Sequence, residues 1–149
     1  MGHPRKRHPK WARPLKKFDK ARIESEAPVL INFGLRRKHE LWRADGIVRD
    51  FRRRARELLS VQNPKAQEGL FAGLRKIGFN VSTLDDVLGL KTEDVLGRRL
   101  QTVLVKRGLA KTYKQARQLI VHRHVLIGDQ VVHWPSALVS SDDETKIDV

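Results

Sequence analysis

"RRLQTVLVKRGLAKTYKQARQLIVHRHVLIGDQVV", residues 98–132, holds no Asp or Glu before Asp129, and the acid-free interval reaches back to Asp94. Surface helices ordinarily mix signs, because opposite charges three or four residues apart support one another. A one-sign surface repels itself and calls for a polyanion to cover it. The apolar spacing organises the stretch. Leu100, Val103 and Leu104 fall on one face of a helix predicted over 98–107, with Gly108 as its stop. Thr112 and Gln115 form the capping box of a second helix. In that helix Ala116, Leu119 and Ile120 make a buried stripe, while Lys114, Arg117, Gln118 and His122 project from the other side. "HVLIGDQVV" then gives two short β-rich runs around Gly128-Asp129, a hairpin signal. The fold class is α+β: two short helices packed on a small antiparallel sheet, joined to a helical body.

The totals agree with a polyanion partner. The chain has 149 residues, a formal net charge of +14 and a pI near 10.8. Such a balance suits nucleic acid or an anionic membrane surface. A membrane-surface helix needs a bulky apolar face free to insert, and the helices here use theirs for the core, so nucleic acid leads. No apolar run approaches the ~20 residues of a membrane span. The basic N-terminus is not followed by a hydrophobic stretch, so no secretory signal is expected and a cytoplasmic protein is. Without cysteine, a disulfide scaffold and cysteine-ligated metal are excluded. His122 and His124 have no third ligand in sequence, so they are assigned to RNA contact or plain exposure. No metal and no cofactor are expected.

Outside the opening stretch the chain divides into an arm, a body and a tail. Residues 1–33 read as a basic, Pro-rich extended arm, in which Arg5, Lys6, Arg7, Lys10 and Arg13 are candidate RNA contacts beside Trp11 and Phe18. Residues 34–96 read as the helical body. Its long helix, 36–60, carries the stripe Leu41, Ala44, Val48, Phe51, Ala55 and Leu58. Arg49, Arg52, Arg53 and Arg56 share another face and are candidate phosphate ligands, since the guanidinium fork takes phosphate oxygens in pairs. Pro64 and Gly78 bracket the next helix. Ser82 or Thr83 caps a short one, with Asp85 and Asp86 near its positive end. Thr92, Glu93 and Asp94 start another. Residues 97–139 form the acid-free unit, and 140–149 an acidic segment either returning to the body or disordered.

The Arg-Leu pair opening the first helix, the Gly, then Ala-Arg-Gln-Leu-Ile, a basic residue and the Val-rich hairpin together resemble the S-four RNA-binding domain. "LRRKHELWRADGIVRDFRRRARELL" followed by "TLDDVLGL" resembles the body of the universal small-subunit ribosomal protein four family, in its archaeal and eukaryotic branch. Gly128-Asp129 replaces that family's usual Asn-Gly turn. The resemblance implies a structural constituent of the small ribosomal subunit. Such a protein binds ribosomal RNA near a multi-helix junction of the 5′ domain, nucleates assembly, and lies near the opening of the messenger channel. Some bacterial relatives hold a cysteine-ligated zinc that this chain cannot.

By the same resemblance Arg98, Arg99, Gln101, Lys111 and Thr112 fall on the RNA-facing surface. So do Lys114, Gln115, Arg117, Gln118 and Arg123, and Lys106, His122 and His124 extend it. The implied partners are small-subunit ribosomal RNA, neighbouring ribosomal proteins and messenger RNA, with no small-molecule substrate. An assembly factor of the same family, binding precursor RNA, needs the same basic face and is the alternative. An RNA-modifying enzyme needs a larger catalytic domain than the remaining chain supplies, and neither a phosphate-cradling Gly loop nor a nucleophile elbow occurs in it.

Overall fold

The computed structural model describes residues 11–61 and 63–149. The readings placed on Arg5, Lys6, Arg7 and Lys10 lie outside the described residues. The extended arm ends earlier than its sequence implies, because Lys20–Asn32 is a helix, α1. Pro28 stands well inside it, where a proline removes a backbone donor and ordinarily argues for a break. The helix is held from its flank instead. Buried Glu26 accepts hydrogen bonds from Arg22 Nη1 at 2.8 Å and from Trp42 Nε1 at 3.1 Å, and it pairs with Lys38 Nζ at 3.2 Å. Burial alone would raise its carboxyl. The bonds from Trp42, Lys38 and Arg22 outweigh that and hold the carboxyl below the usual range.

Helix α2, Lys38–Ser60, buries Leu41, Ala44, Val48 and Ala55, and leaves Phe51 and Leu58 half-buried at the margin of the stripe. α3, Pro64–Ile77, opens on Asn63, whose side chain accepts the Ala66 N–H. It closes on Gly78 in the left-handed region at φ 93°. α4, Leu84–Gly89, takes Thr83 as its cap. Asp86 reaches back to the Ser82 and Thr83 N–H groups, which bring its carboxyl down to about 2. α5, Thr92–Gly97, completes the body. These helices share one core around Leu74, Val48, Val87, Val95 and Leu96.

A second core follows, built from Leu100, Leu104, Ala116, Ile120, Val125, Val139 and Ile147. It lies among α6 (Leu100–Lys106), α7 (Tyr113–Val121) and a three-stranded antiparallel sheet of order β2-β1-β3. β1, Leu126–Ile127, pairs with β2, Gln130–Val131, across Gly128 at φ 59°. On its other side it pairs with β3, Ile147–Asp148. The acidic end is therefore ordered, and the second unit runs past residue 139. Ser140 caps the single turn α8, Ser141–Glu144, which touches α3 of the body, and Ile147 is fully buried. Leu119, expected inside, is half-buried at the edge of this core.

Candidate RNA interface

α7 sets the geometry of the site. Thr112 accepts the Gln115 N–H as predicted, while Gln115 Oε1 accepts the N–H of Lys111, one residue before the position a capping box would use. Lys111, Thr112, Lys114, Gln115 and Gln118 all face solvent. Beyond the helix, His122, Arg123 and His124 continue the exposed surface, and Lys106, at the end of α6, is also exposed, with its Nζ beside Gly97. None of these cations lies within ion-pair distance of a carboxylate among the described residues. The His122 and His124 rings are 6.4 Å apart, and no group of three or more metal-ligating side chains occurs among the described residues.

Arg123 is the conformational exception on this surface. It ends α7 in the left-handed region at φ 65°, with its N–H on the Ile120 carbonyl and the His124 N–H on the Leu119 carbonyl. This is a Schellman stop, a position that favours glycine because a Cβ there costs roughly 1–2 kcal/mol. The chain keeps a long cation at a place where backbone preference alone would select Gly.

Other sequence candidates turn inward. Arg99 is 5% exposed and Gln101 only 1%. Arg99 Nη2 bonds Glu40 Oε2 at 2.7 Å, and Arg117 Nη2 bonds Glu40 Oε1 at 2.9 Å. Gln101 donates to the carbonyls of Gly34 and Tyr113. Arg98 pairs with Glu144 at 2.8 Å and donates to the Val139 carbonyl. These side chains hold α2, α6, α7 and the C-terminal segment together, so Arg98, Arg99, Gln101 and Arg117 are not freely presented. Burial alone would raise Glu40, but hydrogen bonds from Arg117 and Arg99 prevail and its carboxyl is lowered.

The arginines of α2 are similarly committed. Arg49 pairs with Asp45, and Arg53 with both Asp50 and Glu57. Arg52 donates to the Leu90 carbonyl at 2.6 Å and serves the packing of α2 on the α4–α5 junction. Arg56 remains exposed, its Nε on the Arg52 carbonyl. In the arm, Trp11 stacks on His39 with ring centroids 5.6 Å apart, and Arg13 sits 5.7 Å from the Trp11 ring. Trp11 thus packs on the body, while Phe18 is 93% exposed.

Sequence reasoning missed a cationic cleft of about 360 Å³ between α2 and residues 135–138, lined by Arg36, Arg37, Arg43, Arg99 and Arg117 with Glu40. Arg36, Arg37 and Arg43 are exposed and have no carboxylate partner among the described residues. Arg99 Nε and Nη1 are buried without a hydrogen-bond partner. A cleft so rich in guanidinium suits a phosphate. The signal was present in "LRRKHELWR", but Arg36 and Arg37 precede the helix and Arg43 lies off the face carrying Arg49 and Arg53.

Residues 98–144 match the profile of the S4 domain. The chain as a whole is similar to the small ribosomal subunit protein uS4 of Hyperthermus butylicus, at 42% identity over 153 residues, covering 99% of this chain and 87% of that protein. It is likewise similar to the small ribosomal subunit protein uS4 of Saccharolobus islandicus strain L.S.2.15, at 41% identity over 154 residues, covering 99% and 85% of the two chains.

Proposed function

The chain belongs to the uS4 family of small ribosomal subunit proteins, and on that premise we propose that it is a structural constituent of the small subunit, holding ribosomal RNA on its acid-free surface. One observation carries the reading. Lys106, Lys111, Lys114 and Arg123 are exposed on one unit with no carboxylate within ion-pair distance among the described residues. Cations held on a short helix and the turns beside it form a fixed array for phosphates, and Thr112, Gln115 and Gln118 add groups that reach sugar and base edges. An array of fixed shape selects a folded RNA over a simple duplex. The guanidinium-lined cleft beside it extends the same footprint toward the body.

The role is binding and not catalysis. The buried carboxylates Glu26 and Glu40 serve the fold as acceptors, Glu26 from Trp42 and Arg22 and Glu40 from Arg99 and Arg117. The target is the 5′ domain junction of small-subunit ribosomal RNA, bound early in assembly, with the finished protein near the opening of the messenger channel among other ribosomal proteins. The test is sedimentation. A permanent constituent stays with mature small subunits in one-to-one amount after a high-salt wash. Release of the protein by that wash, with retention only on precursor particles, would make it an assembly factor.

A further inference from the structure

The end of α1 meets the start of α7, and along α7 from Lys114 to His122 runs an open groove of about 690 Å³. Its floor is apolar. Leu30, Ile31 and Leu35 line it from the α1 end and Val121 from α7. Ile31 is 76% exposed and Val121 53%, although each belongs to a helix with a core available to it. Open apolar surface of this kind marks a contact site more often than a structural need.

The α1 side of the groove is anchored to α7. α1 stops in a Schellman turn, with the Gly34 N–H on the Ile31 carbonyl and the Leu35 N–H on the Leu30 carbonyl, and with Gly34 at φ 57°. A Cβ on Gly34 would come within 2.3 Å of Tyr113 Cβ, so the turn is seated directly against the start of α7. Gln101 Nε2 bridges the two by bonding both the Gly34 and Tyr113 carbonyls. These contacts tie the end of α1 to the start of α7.

The rim decides the occupant. Arg36, Lys114 and His122 stand around the apolar floor, with the Gln118 amide between them, and no carboxylate lines the groove among the described residues. Lys114, Gln118 and His122 belong to the surface assigned above to RNA, so whatever fills the groove must lie beneath the same polyanion. We propose that the groove takes one unstacked base of the bound ribosomal RNA. The apolar walls cover the ring faces, the rim cations take the flanking phosphates, and Gln118 meets a polar base edge. Splayed-out bases are the parts of an RNA fold that proteins read individually. The proposal rests on the RNA-binding reading and adds a specificity element to it.

Two measurements on the full chain test it. In the first, small-subunit ribosomal RNA transcripts carrying thiouridine or thioguanosine are photocrosslinked to the protein, and base adducts are expected on peptides containing Ile31 or Val121. In the second, the Ile31→Ser/Val121→Ser double variant should lose about tenfold in affinity for the transcript, the scale of one lost base contact. Its affinity for a plain duplex should be unchanged, because a duplex offers no free base. Adducts confined to the exposed cations, with transcript affinity unchanged in the variant, overturn the groove and leave RNA binding intact. Protection of the groove only in assembled subunits, and never in the naked RNA complex, overturns it in favour of a protein neighbour. A wild-type chain that binds neither transcript nor duplex would remove the RNA reading itself, and this proposal with it.

Discussion

Glu40 shows how one residue changes the reading of several others. It is half-buried on α2 and receives Arg99 and Arg117 from the S4 unit. Breaking a buried ion pair by removing one partner leaves an uncompensated charge and costs on the order of 3–5 kcal/mol. Glu40→Ala should lower the melting temperature accordingly at neutral pH. Its folded carboxyl lies below the ordinary value of 4.5. The stabilisation is therefore complete above that pH and is lost as the pH falls through the lowered folded value. The melting curves of wild type and variant should converge once the pH has fallen below that lowered value. A gap that persists in acid would mean the carboxylate is not what stabilises the joint. Arg123 makes the opposite case. Arg123→Gly relieves a left-handed backbone and should hold or raise the melting temperature, yet weaken RNA binding. Loss of stability in that variant would show that the Arg side chain is structural.

Among the elements, those with local punctuation were legible and those held from a distance were not. α3 was readable because Pro64 and Gly78 mark its ends, and α2 because its apolar stripe repeats over the whole helix. The hairpin was readable from Gly128. α1 was missed because Pro28 argues locally for a break, whereas the bonds that hold the helix come from Trp42 and Lys38 on another helix. At the site, Lys111 and Lys114 are exposed, as their spacing implies. Arg99 and Arg117 instead meet Glu40, a partner 59 and 77 residues away that no local pattern reveals. β3 has two residues and no periodicity of its own, so only the completed sheet reveals it. Removing residues 145–149 tests that strand. The deletion takes away Ile147, and losing a fully buried side chain of this size costs on the order of 2–5 kcal/mol. A marked fall in the thermal midpoint is expected, and an unchanged midpoint would return the segment to the status of a tail.

For the molecule as a whole, the proposed function makes the net charge of +14 the source of binding strength and the arrangement of that charge the source of selectivity. Acids fall within the α2 ion pairs, at the α4 cap and in the Glu40 joint between α2 and the S4 unit, and none falls between Asp94 and Asp129. Counterion release predicts a log affinity falling against log salt by about 0.7–0.9 per phosphate neutralised. The most direct measurement is competition binding of wild type and the Lys111→Glu/Lys114→Glu variant to a small-subunit ribosomal RNA transcript and to a plain duplex, with melts of both proteins alongside. Both side chains are exposed, so each substitution should cost stability by no more than ~0.5 kcal/mol. Affinity for the transcript should drop by about tenfold or more, with a shallower salt slope and a smaller loss on the duplex. Equal losses on both RNAs, or an undiminished affinity for the transcript, would contradict the assignment of the acid-free face as the site that recognises folded ribosomal RNA.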